Sequence, residues 1–265
     1  MRILLTNDDG IHAPGLAAME RIARALCDDV WVCAPETEQS GKARSLTLSE
    51  PLRVRTIDDR HFAVLGTPTD CVMLAVQELI DGEKPSLILS GVNYGLNAGE
   101  DVTMSGTVAG AIEGMALGIP SIALSQMRGP ERREDPAEFL TAETFGADLV
   151  TRLLQAGWPA DVILNINFPI RPPDHAAAAV AVTRQGFRDM RNRYAEHRTD
   201  LRGRSYYWVG YRNEPSRPAT GTDLRAAYNG QISVTPLHID LTHADTMVTL
   251  ASALGEPASV AGAAA

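Results

Sequence analysis

No stretch of the 265-residue sequence approaches the roughly 20 consecutive apolar residues that a bilayer-spanning helix needs. The chain opens directly on a strand-like run rather than on a secretory signal, so a cytoplasmic protein without a membrane partner is expected. Cysteine is scarce. Cys27, Cys33 and Cys71 are odd in number, lie among apolar neighbours and lack metal-ligand spacing, which makes them small core residues rather than disulfide or zinc partners. Positive charge is also short: 24 Lys and Arg stand against 33 Asp and Glu, for a net charge of −9. A nucleic-acid duplex, which needs a broad basic surface, is excluded as the main partner, whereas a small anion held through a metal stays compatible. Several nucleotide and hydrolase signatures are missing as well. There is no G-x-x-x-x-G-K-[ST], no G-x-G-x-x-G after the first strand and no G-x-S-x-G elbow. The two N-terminal aspartates are adjacent, not spaced one apart as in aspartyl-phosphate phosphatases.

What is present is an alternation of strand and helix signals typical of a doubly wound, mainly parallel α/β sheet. Strands are expected at Ile3 to Thr6, Val30 to Ala34, Phe62 to Leu65, Leu87 to Leu89, Ile122 to Leu124 and Val162 to Asn167. Between them, helices are expected from Pro14 to Leu26, from Pro68 toward Ile80, from Thr107 to Leu117 and from about Pro136 to Gln155. In G-T-P-T-D, Thr67 serves as N-cap, Pro68 opens the helix and Asp70 falls three residues after the cap. Residues 184 to 225 carry ten of the 22 arginines with little periodicity, which suits an extended arm. The expected layout is one α/β domain over residues 1–250, including an arm at 184–250, and a frayed Ala-rich tail at 251–265.

The first strand stops at Asp8 and Asp9 and is broken by Gly10. Ligands of open α/β sheets bind beyond the carboxyl ends of the strands, and two adjacent like charges there call for a cation. Three further segments return to the same edge: S-G-K-A-R-S-L-T from Ser40, S-G-V-N-Y-G-L-N-A-G from Ser90 and M-S-G-T-V-A-G-A from Met104. Carboxylates, a serine hydroxyl and an asparagine carbonyl form a hard-oxygen set that selects Mg²⁺, Mn²⁺ or Ca²⁺ over zinc. Ser105, Gly106 and Thr107 at a helix start form an anion cradle suited to phosphate. Each feature alone also has an ordinary explanation. Asp8 and Asp9 suit a turn or cap, Ser105 or Thr107 an N-cap, and Asn93 and Asn97 a left-handed backbone. Their coincidence at one sheet edge favours a site; His12 and His238 receive no catalytic role.

Taken together, N-D-D-G-I-x-A-P-G-L at Asn7, S-G-x-x-x-S-L-T at Ser40, G-T-P-T-D-C-V at Gly66, S-G-V-N-x-G-x-N-x-G at Ser90, S-G-T-V-A-G-A at Ser105 and S-V-T-P-L-x-x-D-L-T at Ser233 resemble the survival protein E (SurE) family. The resemblance runs in order from Met1 to about Thr242. It implies a Rossmann-like three-layer core and a metal-dependent 5'/3'-nucleotidase acting on nucleoside monophosphates. It also implies a homodimer or homotetramer that exchanges its C-terminal arms. By the same resemblance Asp8, Asp9, Ser40 and Asn93 hold one Mg²⁺ or Mn²⁺ per subunit, with Ca²⁺ as a stand-in in crystals, and Asn97, Ser105, Gly106 and Thr107 hold the phosphate. One departure falls at Arg44, where the family carries Asn or His. Arg44 and Lys42 either reinforce anion binding, with short polyphosphate as a further substrate, or point into solvent as loop cations ordinarily do.

The expected chemistry is phosphomonoester hydrolysis by a metal-activated water, with Asp8 preferred over Asp9 as the group that orients or deprotonates it. Covalent attack by an aspartate is the rival mechanism. A nucleotide-binding sensor using the same cradle without turnover is the alternative outside enzymology.

Overall fold

The structure is a computed structural model that describes residues 1–129, 139–170, 179–188, 193–211 and 216–255. In chain order it contains β1 (Ile3–Thr6), α1 (Pro14–Arg24), β2 (Val30–Pro35), β3 (Val54–Asp58), β4 (His61–Val64) and α2 (Pro68–Leu74). There follow β5 (Leu87–Tyr94), α3 (Gly106–Ala116), β6 (Ser121–Gln126), α4 (Leu140–Ala156), β7 (Ile163–Phe168) and β8 (Val180–Val182). The last elements are β9 (Arg193–Thr199), β10 (Ser205–Tyr211), α5 (Asp223–Tyr228), β11 (Ile232–Leu237) and α6 (Ala244–Ala253). Nine strands form one sheet in the order β3-β4-β2-β1-β5-β6-β7-β11-β8. From β4 to β7 the neighbours are parallel. β3 and β11 are antiparallel additions at either side of that block.

Three layers result from the period-two alternation of the strands. Ile3 and Leu5 join Leu16, Met19 and Val150 of α1 and α4, while Leu4 and Ile88 join Cys71, Val72 and Ala75 on the other face. Cys33 and Cys71 are buried in the second of these clusters and Cys27 packs at the margin of the first, all as free thiols. The cap at Thr67 forms as expected. Asp70 N donates to Thr67 Oγ1 at 3.2 Å and Thr67 N donates to Asp70 Oδ2 at 2.9 Å. Beyond Leu74 the winding continues as a π turn over Ala75–Leu79.

Several expectations are corrected. β3 was not foreseen, because every residue of V-R-T-I-D is exposed and an edge strand without a buried face has no apolar alternation to read. β5 does not end at Leu89. It resumes after an irregularity between Ser90 and Asn93 and runs to Tyr94, passing Gly91, where a side chain would lie 2.1 Å from the Leu124 carbonyl oxygen. α4 begins at Leu140, and residues 130–138, which include the charged loop and the expected helix start, lie outside the described residues. The 184–250 stretch divides: β9 and β10 form a separate two-stranded sheet, whereas α5 and β11 return to the main body. Residues 256–265 lie outside the described residues. Among the described residues no helix is long and apolar enough to cross a membrane.

Helix α3 lies unusually close to the sheet because its glycines fall at every fourth position. A side chain on Gly110 would meet Ser90 Oγ and Thr6 Cγ2 at 2.9 Å, and one on Gly114 would meet Ser121 Oγ at 2.3 Å and Ile88 Cδ1 at 2.6 Å. Gly114→Ala is therefore expected to lower stability by about 1–3 kcal/mol through overpacking, read as a shifted denaturation midpoint. An unchanged midpoint would show that the helix can move away at no cost.

Candidate active site

The chain proceeds outward from β1 to β2 and β4, then crosses to the other side of β1 as β5. Connections thus diverge between β1 and β5, and the crevice beyond that point is where an open α/β sheet accepts ligands. Asp8 and Asp9 stand there. Buried Asn7 shapes their turn, donating from Nδ2 to the Gly10 carbonyl at 2.9 Å and accepting Gly10 N at 3.3 Å. Asp8 is 4% exposed and accepts the Thr107 hydroxyl on Oδ1 at 2.5 Å. The Gly106 N–H also serves its carboxylate. Asp9 accepts Tyr94 N on Oδ2 at 3.3 Å. Burial pushes both carboxyls above their ordinary range. For Asp9, burial and then the charge of Asp8 bring the value to about 6.

Gly106 permits this contact. A side chain there would lie 2.7 Å from Asp8 Cβ, so only glycine lets α3 begin against the carboxylate. Ser105 caps the helix, accepting Val108 N at 3.0 Å on its hydroxyl oxygen, and keeps its own proton to donate. The Thr107 hydroxyl, by contrast, is committed to Asp8.

The loop after β2 is tied to this centre through its backbone. Gln39 N donates to the Asp8 carbonyl at 2.7 Å, and Ala43 N donates to the Met104 carbonyl at 3.2 Å. Ser40 is exposed, and its hydroxyl donates to Glu38 Oε1 at 2.9 Å rather than meeting either aspartate. Arg44 is taken up by Glu113 of α3, with Nε at 3.2 Å and Nη2 at 2.8 Å from Oε2. Glu113 is two turns, about 10 Å, along α3 from its start, so the Arg44 guanidinium is engaged up the helix rather than at Ser105–Thr107. Lys42 is exposed, and its side chain has no hydrogen bond or ion pair among the described residues.

Asn93 donates Nδ2 to the Gly95 carbonyl at 2.8 Å, leaving Oδ1 as an open acceptor one residue from the Tyr94 amide that holds Asp9. Asn97 is more constrained. Its N–H donates to Asn167 Oδ1 at 2.9 Å, and its carbonyl accepts Asn165 Nδ2 at 2.7 Å and Asn167 Nδ2 at 3.1 Å. Its own Nδ2 donates to Ser125 Oγ at 2.9 Å. Sequence reasoning did not single out Asn165, Asn167 and Ser125. The signal for the first two was two amides, one residue apart on the same face of the apolar run I-L-N-I-N-F. Also missed was Arg128, whose Nε donates to the Tyr94 carbonyl at 2.7 Å and whose guanidinium lies 4.8 Å from the Tyr94 ring centre.

Two carboxylates held above their ordinary range and an amide oxygen without a donor fit a hard divalent cation, and no histidine or cysteine stands among them. His12 and His238 are exposed, the latter just past β11.

The family described as Survival protein SurE matches residues 3–192. The chain is 66% identical over 255 residues to the 5'-nucleotidase SurE of Caulobacter vibrioides (strain NA1000 / CB15N), covering 96% of this chain and 97% of that one. It is 65% identical to the 5'-nucleotidase SurE of Phenylobacterium zucineum (strain HLK1), covering 96% and 98%. The crystal structure of the SurE protein from Aquifex aeolicus matches with a TM-score of 0.79 and 39% identity, over 96% of this chain and 100% of that one. A shared fold, high identity and near-complete coverage of both chains agree with the motifs at the β1–β5 crevice: this chain belongs to the SurE family.

Proposed function

We propose that the protein is a 5'-nucleotidase, a phosphoric monoester hydrolase that converts nucleoside 5'-monophosphates, and 3'-monophosphates as well, to nucleoside and phosphate with one Mg²⁺ or Mn²⁺ per subunit. The observation that carries this reading is Asp8, buried against the N-terminus of α3, with the half-buried Asp9 beside it on Tyr94 N. The names of its relatives in Caulobacter and Phenylobacterium support the same activity. Asp8, Asp9 and Asn93 supply oxygens for the cation, and Ser40 joins them once its hydroxyl leaves Glu38. When bound, the cation neutralises the carboxylates, polarises the phosphoryl group and makes water a stronger acid.

The chain's own residues do the rest. Ser105 donates its free hydroxyl proton to a phosphoryl oxygen, and the Thr107 N–H and second amide proton of Asn97 stabilise charge on the others. Asp8 is held by Thr107 and Gly106, while Asp9 has one oxygen without a donor. That difference moves the role of proton acceptor from Asp8, preferred on sequence, to Asp9. The exposed Tyr207, Trp208 and Val209 of β10 support arm exchange between subunits of a dimer or tetramer. Short polyphosphate remains a candidate substrate, without help from Arg44.

Phosphate release from nucleoside monophosphates is expected with Mg²⁺ or Mn²⁺ and to stop with chelator. Asp8→Asn and Asp9→Asn should each lose at least about 100-fold in kcat/KM while remaining folded by circular dichroism. Tight nucleotide binding without metal-dependent release would instead identify a sensor. Gly106→Ala, which pushes on Asp8 without altering a polar group, should lower turnover by about tenfold to 100-fold, since a misplacement near 1 Å is that costly. Wild-type rates in Gly106→Ala would remove α3 from the site. Arg44→Ala should lose no more than about 1 kcal/mol of stability and leave the rate ratio of tripolyphosphate to nucleoside monophosphate unchanged. A selective loss of tripolyphosphate hydrolysis would return Arg44 to the site.

A further inference from the structure

Asn97 and Ser105 are joined by an irregular stretch with one 3₁₀ segment over Gly99–Met104, too short to hold its own shape. Its support comes from the second half of the chain. Asp223, the fully buried first residue of α5, accepts Gly99 N on Oδ2 at 2.8 Å. On Oδ1 it accepts Gly186 N at 2.8 Å and its own Leu224 N at 2.7 Å. It is not needed as the helix cap, because Thr222 Oγ1 already accepts Arg225 N. Beside it, Gln185 Nε2 donates to the Gly99 carbonyl at 2.9 Å. Arg188 closes the other side. Its backbone N–H donates to Glu100 Oε2 at 3.1 Å, Nη1 lies 3.3 Å from Glu100 Oε1, and Nη2 lies 2.6 Å from Asp101 Oδ2. Gly99 has a φ of +61°, and a side chain there would meet Leu224 Cδ1 at 2.9 Å, so the two parts fit closely.

We propose that Asp223 and Arg188 are positioning residues for the phosphate site, holding the 98–101 stretch so that Asn97 and the Ser105–Thr107 helix start keep the spacing a phosphate requires. The proposal rests on reading those residues as phosphate contacts. Asp223 lies outside the matched residues 3–192, and nothing in the family match assigns it a role. Burying a carboxylate is unfavourable unless it is well hydrogen-bonded. Leu224, itself fully buried, already supplies apolar packing for α5, so the distinct contribution of Asp223 is to fix backbone N–H groups from separate segments.

Asp223→Asn and Arg188→Gln separate positioning from general support. Each is expected to raise KM for a nucleoside monophosphate and the inhibition constant of inorganic phosphate by fivefold or more, while the Kd of Mn²⁺ alone, read by calorimetry, stays within threefold of wild type. Amides of residues 98–107 should exchange with deuterium faster in both variants, and Arg188→Lys should recover part of the loss. A purely structural role would lower melting temperature and the active fraction but leave KM and phosphate inhibition unmoved, and that result would overturn the proposal. If the wild type neither hydrolyses nucleotide nor binds phosphate, the functional reading fails instead. Unchanged amide exchange at 98–107 would then still overturn the positioning role.

Discussion

Two adjacent carboxylates just past β1, Asp8 buried and Asp9 half-buried, set the terms for the whole crevice. Asp9 is raised to about 6 from an ordinary value of 3.8, a difference on the order of 3 kcal/mol. Because the folded value lies above the unfolded one, that cost falls at neutral pH, where both states are ionised, and vanishes once the pH drops below the unfolded value. A sequence under selection for stability alone would not keep the pair. The structure limits the cost with donors: the Thr107 hydroxyl and Gly106 N–H for Asp8, and the Tyr94 N–H for Asp9. The contact of Asp8 with α3 requires a backbone brought near, which Gly106 allows, while Gly110 and Gly114 let the rest of α3 lie against β1, β5 and β6.

From that point the polar residues form a row across neighbouring strands. Asp8 and Asp9 follow β1, Asn93 lies in β5 and Asn97 follows it, β6 contributes Ser125, and β7 contributes Asn165 and Asn167. The last three hold Asn97 by its backbone and its side chain, and Asp223 and Arg188 hold the residues that follow it. Little of this network is exposed. Its members therefore act by removing freedom from the few groups that face the crevice, which is how a rigid sheet positions loop residues for chemistry.

Where local physics decides, the sequence was readable. β1 is a buried apolar run, Thr67 and Asp70 form the cap their spacing predicts, and Ser105 caps α3. What could not be read was partnership at long range. Arg44 meets Glu113 across 69 positions and Gly99 meets Asp223 across 124, and no periodicity announces such pairs. β3 was hidden for a different reason, since it buries no face, and β5 was cut short because S-G-V-N-Y-G has the composition of a turn while it still pairs with β6. Motif content pointed to one crevice at the β1–β5 edge; the hydrogen bonds show how Asp8, Asn97 and Thr107 are held there.

Ser105, Gly106 and Thr107 read as a cradle open to phosphate, yet the Thr107 hydroxyl and Gly106 N–H already serve Asp8. A phosphate arriving there meets a carboxylate at the same positive helix end, and the two anions repel at close range. A protein that only bound phosphate would do better without Asp8. Keeping both anions close suits a site in which Asp8 and Asp9 would hold a cation whose charge offsets theirs and that of the phosphate. The packing of Asp8 against α3 therefore favours the proposed hydrolysis over simple binding, because a cation held by the carboxylates would bring a phosphoryl group within their reach.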